Sequence, residues 1–276
     1  MGYALVVLVS VLCAFIPVFT RALGKYAQEY AYQILAWRFI ISSAALFMLL
    51  PLTGQRVEIP PLFHIFATLL YVGASLTFFL ALVNTTVVKT EALQKLYPLW
   101  TGVCSYFFLK RIFSKFDFIA LVVAGCGMYL VLASKKSAKV DKHPMRGALL
   151  ALLSGLLVAA WYTATNLAHM SHSSNVVAWA CLAGALLMPH KMRPPKMPVR
   201  MWLYVAGLGV VSTAAPLLLQ VIALQTVQPL ENSIITLLIS PLAVTAVWLI
   251  YKERPSQRAV IGGILILAAA TLTILA

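Results

Sequence analysis

The sequence predicts an all-α integral membrane protein: ten transmembrane helices arranged as two inverted five-helix repeats. Three observations predict it. Of 276 residues, 62% are hydrophobic and 10% charged, with a mean hydropathy of +0.93, whereas a soluble domain carries about 25% charged residues. The apolar residues form long runs separated by short turns. The two halves of the chain also repeat each other.

Ten apolar runs are expected, at 3–20, 31–52, 61–83, 90–109, 115–133, 147–168, 175–189, 201–224, 229–250 and 257–276. Crossing a bilayer takes about 20 predominantly apolar residues. Pro60-Pro61, Pro144, Pro194-Pro195, Pro198 and Pro255 punctuate the intervals. In hydrocarbon every backbone polar group needs an internal partner, so runs this long and uniformly apolar are helices. A barrel would need alternating strands of about ten residues.

The longest polar connection is SKKSAKVDKHPMR, Ser134 to Arg146. It places a first five-helix repeat at 1–134, a basic linker at 135–146 and a second repeat at 147–276. At an offset of 142 residues Ala36-Trp37 matches Ala178-Trp179, and Ala81-Leu82 matches Ala223-Leu224. Ser114 matches Ser256, Ala120 matches Gly262, Gly127 matches Ala269, and Pro98 meets Pro241 with a shift of one. Shared order and spacing mark an internal repeat. An odd number of crossings inverts the second copy, which puts a site at the midplane interface.

The net charge of +14 has two readings, nucleic acid or membrane. No basic-aromatic module accompanies it, and the cations lie in short segments between apolar runs. They orient the chain and meet anionic lipid headgroups. One set of alternate loops holds 16 Lys and Arg, counting Lys89 and Lys95, and the other holds Arg56, Lys110, Arg111 and Lys115. By the positive-inside rule both termini are then outside the cytoplasm. No cleavable leader is expected, because no basic segment precedes the first run. Cys13, Cys104, Cys126 and Cys181 sit inside apolar runs without CxxC spacing, which suits free buried thiols.

Lys89–Leu109 is the most unusual stretch, and it reads as a helix. On a 3.6-residue period Glu91, Gln94, Lys95, Pro98, Thr101, Gly102 and Ser105 share a stripe, while Leu93, Leu96, Leu99, Trp100 and Val103 lie largely off it. In so apolar a chain this stripe is expected to line a wet interior. Glu91 and Lys95 stand at i and i+4 in the favourable order. They read either as a salt bridge near a helix end, or as a protonatable carboxylate and a cation that receives a cargo carboxylate. Pro98 and Pro241 each remove a backbone hydrogen bond, so they kink or gate their helices.

From the second half Trp161, Tyr162 and Asn166, then Gln220 beside Pro216, and Asn232, Thr236 and Ser240 are expected to face the same interior. Tyr97 joins them from the first half. The aromatic residues act as packing and interfacial anchors or stack on a cargo. Glu231 begins its helix, where a carboxylate also caps. Arg38 lies inside the second run and is expected to find a structural partner, Glu29 or a carbonyl. His169 and His172 are three apart beside a polar connection, which does not make a metal site. Small residues of the fifth and tenth runs, among them Gly127 and Gly262, permit close helix contact. No HExxH, Walker loop or GxSxG is present, so the sequence asks for no catalytic residue, metal or cofactor.

The motifs carry a resemblance. Pro98-Leu-Trp…Phe108-Leu-Lys-Arg-Ile-Phe-Ser114, followed by Ala120 and Gly127, resembles the fourth and fifth helices of EamA-type members of the drug/metabolite transporter superfamily. Pro241…Tyr251-Lys-Glu-Arg-Pro-Ser256, with Gly262 and Ala269, resembles the same signature in the second repeat, and Trp37-Arg38-Phe39 is similar to the family's second helix. The usual Gly-Glu pair is Lys110-Arg111 in the first repeat; the second keeps Glu253. The resemblance implies ten helices around a central cavity, alternating access by the two halves, no enzymatic step, a small-molecule cargo, a place in the inner or plasma membrane, and a monomer or homodimer. It also implies cytoplasmic termini, against the loop charges. Ala159-Ala-Trp-Tyr-Thr-Ala-Thr-Asn166 with Glu91…Tyr97 resembles an aromatic amino-acid exporter branch. Tyr97-Pro98…Phe107-Phe-Leu-Lys110…Ser114-Lys115 resembles a choline importer branch. Export of amino acids or related metabolites is the first expectation and uptake of a cationic amine the second. A membrane enzyme or channel is the reading from another class.

Overall fold

The computed structural model describes residues 2–52, 56–85, 87–111, 114–133, 143–168, 173–188, 193–252 and 255–275. Its regular structure among these residues is helical throughout. The first apolar run forms α1 (Gly2–Cys13) and α2 (Ile16–Leu23), and a short α3 (Lys25–Glu29) leads to α4 (Ala31–Leu52) and α5 (Leu62–Asn84). The fourth forms α6 (Val87–Gln94) and α7 (Tyr97–Leu109), followed by α8 (Lys115–Ala133), α9 (Pro144–Ala168) and α10 (Ser173–Leu186). The eighth run is α11 (Val199–Gly209), a π-helical segment Val210–Ala214 and α12 (Ala215–Ala223). The last two runs give α13 (Pro229–Thr236), α14 (Ile239–Tyr251) and α15 (Gln257–Leu275).

Eight stretches are long and apolar enough to cross a membrane: Gly2–Leu23, Ala31–Leu52, Leu62–Leu82, Lys115–Ala133, Pro144–Ala168, Val199–Ala223, Pro229–Tyr251 and Gln257–Leu275. Every expected run carries a helix; the first, fourth, eighth and ninth are interrupted along their length, and the seventh, α10, has 14 residues. The basic linker lies largely outside the described residues, as do Glu253, His169 and His172.

The helix breaks have one chemical cause. Proline cannot donate to the carbonyl four residues back, and its ring crowds that carbonyl. Before Pro17 the backbone turns at Ala14–Phe15, where Phe15 N–H bonds to the Leu12 carbonyl at 3.3 Å. Before Pro98 it turns at Lys95–Leu96, with Leu96 N–H on Leu93 O at 3.3 Å. Before Pro241 it turns at Leu237–Leu238, with Leu238 N–H on Ile235 O at 2.9 Å. These i to i−3 bonds tighten the turn and swing the following half-helix. At Pro216 the chain takes the wider solution, the π segment. Lys89–Leu109, expected as one helix, is therefore two. α7 and α14 each end on a lysine in the left-handed region, Lys110 (φ 51°) and Lys252 (φ 58°), which are 142 residues apart.

α5 packs along α9, α8 along α15, and α4 along α10. The α8–α15 crossing uses the predicted small residues: a Cβ on Gly127 would stand 2.7 Å from the Gly262 carbonyl oxygen. α10 is pinned by polar bonds to the segment before α5. Asn175 donates to Arg56 O at 3.0 Å and accepts from Glu58 N–H at 3.2 Å, and Trp179 Nε1–H donates to Glu58 O at 2.9 Å. Leu52, Leu62, Phe107, Phe118, Leu203 and Ile264 are among the large apolar side chains that face outward.

Candidate functional site

The broken helices bring polar and aromatic groups into an otherwise apolar interior. At the α6–α7 break, Gln94 Nε2–H donates to Ser154 Oγ at 3.1 Å, and Ser154 O–H donates to Ala74 O at 2.8 Å. This chain ties α6 to α9 and α5. Gly155 leaves room for it, since a Cβ there would lie 2.8 Å from the Gln94 carbonyl oxygen. That carbonyl is the one Pro98 leaves without its helical donor.

Pro216 likewise leaves the Ser212 carbonyl, and Arg38 takes it. The buried guanidinium donates from Nη2 to Ser212 O at 3.3 Å and from Nε to Thr213 Oγ1. Thr213 O–H continues to Leu208 O at 2.7 Å, a five-residue step that matches the π geometry. Ser42 O–H donates to Gly209 O at 2.7 Å and to Arg38 O at 2.6 Å. Of the two partners expected for Arg38, the carbonyl is the one found. Both hydrogen-bond partners are neutral, and no carboxylate bonds to it among the described residues.

Aromatic rings run on from there. Tyr71 lies 4.8 Å from Trp161 between ring centroids, Trp161 lies 4.9 Å from Tyr162, and Tyr162 meets Tyr97 edge-on at 6.0 Å. Lys95 Nζ sits 5.7 Å from the centre of the Tyr97 ring. The free thiol of Cys13 stands at the end of α1. Arg38, Lys95, Tyr71, Tyr97 and Tyr162 all lie within electrostatic reach of it.

The expected site residues divide. Lys95, Tyr97, Trp161 and Tyr162 come together, with Asn232 and Thr236 against the Tyr162 hydroxyl. Gln220 donates from Nε2 to Asn232 Oδ1, which joins α12 to α13 deep in the interior. Glu91 and Gln94 are half-buried on α6, and Glu91 and Lys95 both engage neighbours. Thr101 is fully buried but spends its hydroxyl on Tyr97 O at 2.8 Å, within its own helix. Thr236 does the same with Asn232 O at 2.6 Å. Such back-bonding is the ordinary fate of a helical threonine. Asn166 lies elsewhere, docking the end of α9 on the end of α12 through Leu224 O at 2.6 Å and Val227 O at 3.4 Å. Glu231 accepts from Tyr3 O–H at 2.8 Å and from the Gln228 N–H at 3.3 Å, so it caps its helix and ties it to α1.

Sequence reasoning passed over Cys13 and Ser154 as site neighbours. For Cys13 the available signal is Pro17, four residues on, which predicts a break in the first run. Ser154 carries no such signal, because its role depends on Gly155 and on a carbonyl freed in another helix. All four cysteines are free; Cys181 is buried and Cys126 faces outward. A groove between α14 and α15, lined by Pro241, Thr245, Trp248 and Gly263 among others, is mostly apolar and shares no residue with the interior cluster.

Comparison with known proteins gives three findings. A family model described as the EamA-like transporter family matches residues 1–133 and 145–275. A solved crystal structure named only as that of a "protein" has the same fold, with a TM-score of 0.89 at 18% identity, covering 99% of this chain and 96% of that one. No curated protein matches in sequence.

Proposed function

The chain belongs to the EamA-like transporter family and is a multi-pass membrane protein, and from that premise we propose that it is a secondary carrier of small organic solutes working by alternating access. All ten helices cross the membrane, as two inverted five-helix repeats spanning 1–134 and 147–276 and joined by the linker 135–146. The paired left-handed lysines and the small residues Ala120/Gly262 and Gly127/Ala269 of α8 and α15, all at the 142-residue offset, support the repeat. So does the exchange of partners: α5 packs on α9 as α11 and α12 pack on α2 and α1. The observation that carries the carrier reading is the cluster at the helix breaks, where Lys95, Tyr97, Trp161 and Tyr162 share one interior site. Broken helices around an interior site are the working parts of carriers whose halves rock.

The cargo is an amino acid or related metabolite, and the direction is export. Uptake of a quaternary amine is the second reading, supported by the linked aromatic rings that could hold a cation. The experiment is flux into proteoliposomes across a panel of amino acids and quaternary amines. Saturable flux that Glu91→Gln abolishes in a folded protein supports the carrier and the role of Glu91. Flux that never saturates indicates a channel, and saturable flux indifferent to Glu91→Gln removes that residue from the mechanism.

A further inference from the structure

We infer that the interior site recognises its cargo by a carboxylate, with Arg38 as the anchoring group. This rests on the carrier reading and narrows its cargo. Arg38 is a buried cation inside the apolar helix α4, bonded to a hydroxyl and a carbonyl and to no carboxylate among the described residues. Charges within a membrane span are costly and pair with one another or with what passes. The guanidinium has five N–H donors; Nε and Nη2 each spend one on the π segment, leaving a second edge for a planar anion, the geometry in which arginine holds carboxylates.

A second observation, independent of Arg38, points the same way. The hydroxyl of Tyr97 and the Nε1–H of Trp161 are buried without a hydrogen-bond partner among the described residues. Trp161 Nε1 can only donate. A buried donor left unpaired costs about 1–3 kcal/mol, so a site keeping such groups suits a ligand rich in acceptor oxygens. Lys95 Nζ, 5.7 Å from the centre of the Tyr97 ring, places a second cationic group beside the same unpaired hydroxyl-bearing ring. The aromatic series from Tyr71 to Tyr97 then accommodates the body of the solute. A quaternary amine has neither an acceptor for these donors nor a charge that Arg38 would attract.

The test uses the full-length protein in proteoliposomes and a set of indole solutes sharing one ring system: indole-3-acetate, L-tryptophan, L-tryptophan amide and tryptamine, with choline beside them. The two carboxylates should drive counterflow at least about tenfold better than the amide, the amine or choline, a difference equivalent to ~1.4 kcal/mol. Arg38→Gln should collapse that ratio and Arg38→Lys should keep part of it. Loss of packing at the π segment would lower all fluxes together and leave the ratio alone. Because Arg38→Gln removes a structural bond, a second measurement uses the native residue. With Cys104, Cys126 and Cys181 changed to Ser, an anionic methanethiosulfonate should modify Cys13 faster than a cationic one of similar size, and carboxylated probes should slow it.

Saturable flux of tryptamine or choline at the carboxylates' level would overturn this inference and leave the carrier intact. So would faster attack on Cys13 by the cationic reagent. Absence of saturable flux for every organic solute overturns the carrier reading and this one with it.

Discussion

Gly155 of α9 lies against the backbone carbonyl of Gln94, so closely that a methyl group at Gly155 would stand 2.8 Å from the oxygen. The carbonyl is bent out of its helix by Pro98, and the missing side chain makes room for it. Gly155→Ala should push α9 away from α6 and loosen the Gln94–Ser154 bond. Overpacking of this kind costs about 1–3 kcal/mol. Thermal unfolding in detergent should register it, with Gly73→Ala, whose Cβ meets only ordinary contact at 3.5 Å, as the tolerant control.

The α8–α15 crossing gives a second comparison. At Gly262 a Cβ would meet the Gly127 carbonyl oxygen and, at 2.9 Å, Val131. At Gly125 it would meet nothing within 4 Å. Gly262→Val should therefore lower the melting temperature strongly, while Gly125→Val changes it little. Equal effects would mean that helix propensity, not contact, governs this pair.

Pro98→Ala restores a donor for the Gln94 carbonyl and lets α6 run on into α7. Pro98 sits in the first turn of α7, where proline fits, so its loss should cost up to about 1 kcal/mol by freeing the unfolded chain. Straightening would carry Lys95 away from Tyr97, so cargo affinity should fall, by about tenfold or ~1.4 kcal/mol. Melting and counterflow measured on one preparation would separate the two effects; an unchanged affinity would confine Pro98 to a structural role.

Tyr97→Phe removes a buried hydroxyl that has no partner among the described residues. Deleting an unsatisfied group is neutral or stabilising, so the melting temperature should not drop. Affinity for a carboxylated solute should weaken about threefold to tenfold, the value of roughly 1 kcal/mol of hydrogen bonding. A fall in stability with affinity unchanged would place the hydroxyl in the packing.

Much of this architecture is legible in the residues because hydrophobicity in a membrane protein is a signal of length. The runs, a kink at Pro98 and an inward stripe follow from spacing: of the seven stripe residues Pro98, Thr101, Gly102 and Ser105 are buried, while Glu91, Gln94 and Lys95 are half-buried. The π segment is not legible: Val210–Ala214 has the composition of its neighbours, and only Pro216 hints that a carbonyl has been set free. Nor does the sequence say that Arg38, 174 residues earlier in the chain, will take that carbonyl. Such pairings depend on where two helices cross, and hydropathy carries no information about crossings. The partners of Asn166 are hidden for the same reason: its period places it on the face of Tyr162, and its amide donates to Leu224 O and Val227 O at the end of α12.

That amide has a consequence for the resting protein. The position equivalent to Asn166 at the 142-residue offset is Gly24, which has no side chain to donate. On the carrier reading proposed above, two alike repeats would by themselves be equally firm. The Asn166 bonds to Leu224 and Val227 join two helices of the second repeat and have no side-chain counterpart at Gly24 in the first. One or two such bonds contribute about 1–2 kcal/mol. Asn166→Ala should loosen the ends of α9 and α12, readable as broadened distances between spin labels placed there. A single amide, set opposite a glycine, would then make one half the stiffer of the two.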